Sequence, residues 1–165
     1  MTKGFIKKIL QLQAWDVLDN KIDIFDKNIV VIDGGIVGCE TALFMSQKGN
    51  FVTILERFDE LAKGLEYYHS ILLPQYFKRL GIQTFTSVIT KEICENEVLY
   101  EDEDGKEHMI NADLVILAIG QKPLGHELAK QIIELGIPVV TIGDASNIGK
   151  IKDAIRAGFN IGLEM

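Results

Sequence analysis

The stretch Ile29-Val30-Val31-Ile32-Asp33-Gly34-Gly35-Ile36-Val37-Gly38-Cys39-Glu40 decides how this chain is read. Its opening residues, Ile29 to Ile32, are all β-branched and apolar, which fits a strand covered on both faces. Gly34 and Gly35 then punctuate the run. From Ile36 to about Lys48 a helix is expected. A helix entered from a glycine turn aims unpaired N–H groups and the positive end of its dipole at whatever lies before it, and this suits an anion.

The spacing is that of the dinucleotide-binding fingerprint Gly-x-Gly-x-x-Gly, with Asp33 standing at the first glycine. In that fingerprint the first glycine permits the tight turn, the second lets backbone approach a pyrophosphate, and the third lets helix pack on strand. Gly35 and Gly38 keep the last two roles, and Gly34, Ile36 and Val37 complete the loop. Asp33 brings a carboxylate to the phosphate position. At about 5 Å and an effective dielectric near 20, two unit charges repel by roughly 3 kcal/mol, against under about 1 in bulk water. Asp is also a favoured N-cap. Asp33 is therefore expected to cap the helix and to occupy part of the phosphate site.

A second apolar strand, Phe51-Val52-Thr53-Ile54-Leu55, ends in Glu56. That acid lies at the spacing of the residue that bonds the adenosine ribose hydroxyls, and an acid there favours NAD because it repels a 2′-phosphate. Arg57 follows and softens the preference. The bland alternative for the pair is a solvated strand end with its surface partner.

Composition sets limits. With 165 residues, 47% of them hydrophobic, the chain suits one domain with or without an appendage and can bury a real core. Its mean hydropathy is +0.16. The net charge of −7 argues against nucleic acid and anionic membrane as partners. No apolar run approaches the length of a membrane span. The segment around Lys7 and Lys8 lacks the apolar stretch and cleavage site of a secretory signal, so a cytoplasmic location is expected. Cys39 and Cys94 form no CxxC pair, which excludes a CxxC redox disulfide and a cysteine-held cluster or zinc site on these residues. Cys39 reads as a small buried residue. His69, His108 and His126 show no metal spacing and read as surface or cap residues. No Tyr-x-x-x-Lys pair follows Tyr67 or Tyr68, which disfavours a short-chain dehydrogenase.

Further along, residues 3–18 fit a helix and 19–28 a polar link. A helix over about 66–80 contains Pro74 and ends at Gly81, a left-handed cap. Ile82–Phe85 is a third parallel strand. Val88–Cys94, Val98–Tyr100 and His108–Ile110 read as an antiparallel meander, with Glu101-Asp102-Glu103-Asp104-Gly105 as a solvated hairpin tip. Asp113–Ile119 is a buried strand ending at Gly120. A helix over about 124–135, a last strand Ile137–Ile142 closed by Gly143-Asp144, and a helix over about 150–163 complete the chain.

Read in order, these elements resemble the pyridine-nucleotide domain of the two-dinucleotide-binding flavoproteins. The residues that carry the likeness are Ala14-Trp15-Asp16-Val17-Leu18, Val31 to Ala42, Ala112 to Pro123, Ile142-Gly143-Asp144 and Lys150 to Gly158. The likeness narrows to the flavin oxidoreductases that join an old-yellow-enzyme barrel to such a module, the group containing 2,4-dienoyl-CoA reductase and trimethylamine dehydrogenase. It covers nearly everything from about residue 9 onward.

The resemblance implies an α/β fold, a Rossmann-like parallel sheet flanked by helices with an antiparallel β-meander. It implies a helix and linker over 1–27 and an NAD(P)H-binding domain over 28–120, with its meander at 88–110. Residues 121–165 would then be a helix-strand-helix segment like the second half of an FAD domain. Gly34, Gly35, Gly38, Glu56 and the Gly120 turn match NAD(P)H-site positions, and Glu40 a position near the nicotinamide. Gly143 and Asp144 match the second flavin motif, with the final helix leaning on the flavin. The first flavin-binding half, the FMN barrel and the iron–sulfur cysteines have no counterpart here, so a piece of a larger protein is expected. Such a piece would hold nicotinamide for hydride transfer to FAD, with no catalytic acid, base or nucleophile of its own. NAD is the expected cofactor, ahead of NADP, and FAD enters only with the flavin-binding segment. Expected partners are a flavin-bearing segment or subunit and, through exposed apolar surface, a second copy. A degenerate nucleotide-binding or protein-interaction module is the alternative that Asp33 favours.

Overall fold

The computed structural model describes residues 9–19, 22–65, 67–124 and 126–164, without the side chains of 67–70 and 126. The chain divides into two units, Met1–Ile119 and Gly120–Met165.

In the first unit, β1 (Leu10–Gln13), β2 (Asn28–Ile32), β3 (Phe51–Leu55), β4 (Gln83–Phe85) and β8 (Leu114–Leu117) form a parallel sheet in the order β1-β8-β2-β3-β4. A second sheet, β5 (Ile89–Ile93), β6 (Glu97–Glu101) and β7 (Glu107–Asn111), is antiparallel. Side chains alternate across a strand, so the central strands supply two cores. Ile29 and Val31 of β2, Val52 and Ile54 of β3, and Leu114 and Ile116 of β8 join a cluster with Ala14, Val17, Cys39, Ala42, Met45 and Phe77. Those partners come from α1 (Ala14–Leu18), α2 (Ile36–Gln47) and α3 (Tyr67–Leu80). Val30, Leu55 and Val115 point the other way and pack with Val88, Val98, Tyr100 and Ala112 of the meander layer. The parallel sheet is thus covered on both faces, as unbroken apolar strands require. This is the α/β, Rossmann-type architecture expected from the sequence.

Several local expectations hold for identifiable reasons. Pro74 lies inside α3. Gly81 has φ +70°, the left-handed conformation of a helix end. At the hairpin tip Asp102 accepts the N–H groups of Asp104 and Lys106, and its Oδ2 lies 2.6 Å from His108 Nε2. The carboxyl is held below its usual value, first by the His108 hydrogen bond. His108 also stacks on Tyr100, so it is more engaged than a surface histidine.

Two expectations are corrected. Where a helix was read over 3–18, Leu10–Gln13 is a strand and only Ala14–Leu18 is helical; positions 3–8 lie outside the described residues. The segment finds β8 as a ladder partner more than a hundred positions away, and periodicity within a short window cannot register such a partner. Conversely, Ile137–Ile142 forms no strand. Its β-branched residues Ile137, Val139, Val140, Thr141 and Ile142 suit one, but a strand needs a neighbour to take its N–H and C=O groups. Among the described residues none is supplied.

The second unit holds α4 (His126–Glu134), a 3-10 turn at Gly143–Ala145 and α5 (Ile151–Glu164). None of its described residues is buried.

Candidate dinucleotide site

β2 ends where its last ladder bond is made, with the Asp33 N–H donating to the Leu55 carbonyl at 3.0 Å. The backbone then turns through Asp33 at φ +81°. Glycine takes this conformation freely, whereas most L residues lose about 1–2 kcal/mol there; Asp is among the few that visit it, since its short side chain bonds locally. Asp33 does so here: its Oδ1 accepts the Gly35 N–H at 2.8 Å. The fingerprint's first position therefore keeps its glycine-like backbone while carrying a carboxylate.

The expected capping role needs correction. The N-cap of α2 is Gly35, in extended conformation and with no side-chain cap. Asp33 precedes it by two residues and reaches only the Gly35 amide. Ile36, Val37 and Gly38 form the first turn, where N–H groups have no intrahelical acceptor.

Gly38 performs the packing role of the third fingerprint glycine. A Cβ at Gly38 would lie 2.0 Å from the Asp33 carbonyl oxygen and 3.3 Å from Ala118 Cβ. At Gly34 a Cβ would lie 2.3 Å from Leu61 Cδ2. Gly34 is held from both sides. Its carbonyl accepts the Ala62 N–H at 2.7 Å, and its own N–H donates to Glu56 Oε2 at 2.6 Å.

Glu56 is neither a solvated strand end nor an open ribose acceptor in this conformation. It is 3% exposed, and its other oxygen accepts the Phe58 N–H at 2.7 Å. Each carboxylate oxygen retains a second lone pair. Arg57 lies on the surface, its guanidinium carbon 4.6 Å from the centre of the Phe58 ring. Phe58 was missed in the sequence; the only signal was an aromatic residue directly after the acid–arginine pair.

A cavity of about 580 Å³ opens at the carboxyl ends of β2 and β3, lined among others by Asp33, Leu55, Arg57, Phe58, Val88 and Ile119. Ligands of open α/β sheets bind in such a crevice. Asp33 and Arg57 both line it; Gly35 and Gly38 touch Asp33, and Gly34 touches Glu56, through the contacts above, while Gly34, Gly35, Ile36, Val37, Gly38 and Glu56 are not among its lining residues. Glu40 is exposed on α2. Gly120, Gly143 and Asp144 belong to the second unit. There Gly120 and Gly143 have φ +88° and +61°, and Asp144 Oδ1 accepts the Gly149 N–H at 3.1 Å.

Cys39, on α2, donates its thiol to the Gly34 carbonyl at 3.2 Å. Burial pushes this thiol up to about 12, so it is not a thiolate nucleophile at neutral pH. Among the described residues no group of His, Cys, Asp and Glu is arranged to hold a metal, and no helix is long and apolar enough to cross a membrane.

Against known proteins the chain is similar to the NADH oxidase of Thermoanaerobacter brockii, 44% identical over 155 residues, or 93% of this chain and 24% of the relative. Among solved structures it is similar to a 2-naphthoyl-CoA reductase complex at TM-score 0.80 and 26% identity, covering 94% of this chain and 23% of the other. Histamine dehydrogenase from Rhizobium sp. 4-9 shares the fold at TM-score 0.86 and 19% identity, over 95% of this chain and 26% of the other. The chain spans about a quarter of the length of these proteins. Residues 3–146 match the pyridine nucleotide-disulphide oxidoreductase family, and the chain belongs to it.

Proposed function

We propose that the first unit is the nicotinamide-dinucleotide-binding part of a flavin-dependent oxidoreductase of the 2,4-dienoyl-CoA reductase and trimethylamine dehydrogenase kind. The observation that carries this is the loop 33–38: backbone turned as a first fingerprint glycine turns, with Gly38 too close to the Asp33 carbonyl for any Cβ. In this reading the first-turn amides of Ile36, Val37 and Gly38 hold the pyrophosphate, the Gly35 backbone gives it room, Arg57 meets the adenosine end, and Glu56 shapes that end from beneath through its bonds to the Gly34 and Phe58 amides, reaching a ribose only through its remaining lone pairs. When bound, the nicotinamide supplies a hydride to flavin; the protein's part is position and electrostatics.

Gly143 and Asp144 fit a flavin motif by sequence, and we assign them to FAD only together with a flavin-bearing segment or subunit. The exposed apolar hollow of the second unit, lined by Leu124, Leu128, Ile132, Val140, Ile142 and Ile148, is where that segment docks. Its extended residues 137–142 would then gain a strand partner. A cytoplasmic location goes with this reading. The alternative, a module that has lost nucleotide binding, rests on Asp33: its carboxylate already holds the Gly35 amide and faces the phosphate position.

Calorimetric titration with NADH, on the chain and on Asp33→Gly, separates the two. The glycine variant is expected to bind about ten- to a hundredfold more tightly, the size of the repulsion between carboxylate and pyrophosphate. Measurable NADH binding by the unaltered chain makes it a working cofactor domain. Failure of both proteins to bind rejects the dinucleotide site. Elution of the titrated protein as a dimer would assign the apolar face of the second unit to a second copy.

A further inference from the structure

A second hollow in the first unit shares no lining residue with the dinucleotide crevice. It holds about 390 Å³ and is walled by α3, by the entry to β4 and by the loop that follows β3. Leu61, Leu73, Pro74, Phe77 and Ile82 make it apolar, and Phe77 and Ile82 root it in the buried core. Its polar lining side chains are Lys78 and Thr84. Charge decides what such a hollow takes. The whole chain carries −7, yet no Asp or Glu stands between Glu66 and Glu92, a stretch that holds Lys78, Arg79 and Lys91. Among the described residues Lys78 forms no ion pair. The acids of the neighbouring elements are Glu40 on α2 and Glu56, Asp59 and Glu60 after β3, and none of them lines the hollow. Glu60 pairs with Lys63 at 3.3 Å, and Glu56 accepts the Gly34 and Phe58 amides. A carboxylate on an apolar body suits this arrangement. Its body removes leucine and phenylalanine surface from water, and its charge meets an ammonium beside a hydroxyl.

Leu61 belongs to two places at once. It lines the hollow, and its Cδ2 lies 2.3 Å from where a Cβ on Gly34 would stand. The next residue, Ala62, donates its N–H to the Gly34 carbonyl at 2.7 Å. We infer that this hollow is a regulatory site for a small amphipathic carboxylate, on a medium-length acyl or an aryl body, and that Leu61 carries its presence to the glycine turn. The site stands apart from the dinucleotide reading above; its effect on nucleotide binding rests on that reading. A carboxylate seated here packs Leu61 onto Gly34 and keeps the Ala62 N–H on the Gly34 carbonyl. The turn is then ordered before a dinucleotide arrives, and each ligand strengthens the other by the same factor.

The test follows backbone amide resonances of the full chain during titration with octanoate, and with 1-octanol as the uncharged probe of the same length. Octanoate is expected to shift the amides of Leu73, Phe77, Ile82 and Thr84, and that of Gly34 through Leu61. Lys78→Gln should weaken octanoate about two- to fivefold, the scale of an exposed ion pair, and leave octanol unchanged. Arg79→Gln, one residue along and outside the lining, should change neither. With octanoate saturating, NADH should bind Asp33→Gly about fivefold more tightly, the lower end of ordinary coupling between sites. Shifts confined to residues 124–148 would put octanoate in the second unit and overturn the site. So would octanoate affinity indifferent to Lys78→Gln, or an Arg79→Gln effect of equal size, which would mark a diffuse field. Unchanged or weaker NADH binding overturns the relay through Leu61 and leaves the site. If NADH does not bind Asp33→Gly at all, the dinucleotide reading fails and the regulatory role falls with it, while the octanoate shifts still decide the site.

Discussion

Every buried residue in the described set lies at or before Ile116, whereas the second unit carries Leu124, Ile151, Phe159 and Leu163 on its surface. Both units hold strongly apolar segments, so composition is not the difference. The first unit owns both faces of its sheet: α1, α2 and α3 cover one and the meander covers the other. The second has two helices with apolar stripes and a segment over 137–142 that, among the described residues, pairs with no strand. Apolar periodicity supplies a face; a core appears only where a second face closes over it. The same contrast holds at atomic scale. In the first unit Gly34 and Glu56 satisfy one another's polar groups, and in the second Asp144 bonds within its own loop.

Hydrogen exchange on the full chain tests the contrast most directly. Amides of β2, β3 and β8 should be protected to near the global stability of an ordinary domain, about 5–15 kcal/mol, while α4 and α5 should exchange at least about a thousandfold faster. Equal protection of α5 would mean that its apolar face is covered in solution.

Thiol chemistry sharpens the same point. In a Cys94→Ser background, Cys39 at a pKa of about 12 should react about a thousandfold more slowly than an unburied cysteine, because only the thiolate attacks. A cysteine placed at Val140, which is 63% exposed, should react at the free rate. Slow labelling of Val140→Cys would show that this face is occupied; fast labelling of Cys39 would show that the helix layer of the first unit opens readily.

Glu56→Ala should lower the stability of the first unit by about 2–5 kcal/mol in denaturant titration, since the Gly34 and Phe58 N–H groups lose their acceptor. Exchange in α5 should not change. Stability altered by less than about 0.5 kcal/mol, the scale of an ordinary surface substitution, would return Glu56 to the role of an open ribose acceptor.

The glycine loop, the helix after it and the short strands of the meander were legible because each depends on neighbours a few residues away. The fingerprint spacing alone located Gly35 and Gly38, and Asp33 was visible as its odd member. That Asp33 keeps a left-handed backbone is a property of the turn, and the local sequence determines it. The helix expected over Leu10–Gln13 and the strand expected over Ile137–Ile142 failed for one shared reason. Strand formation is decided by whether another chain segment stands 5 Å away to complete the ladder, and no local pattern reports that.

What the sequence by itself determined is the family of the fold, the place of the anion-binding turn, and the charges gathered beside it. Tertiary structure alone decided how those charges are used. Gly34 and Phe58 draw Glu56 inward, leaving Arg57 as the cation in the cavity, because a buried carboxylate must find N–H partners and the glycine turn and the residue two beyond the acid supply one each. Residue identity sets which charges exist; their burial and hydrogen bonding set which of them a ligand meets.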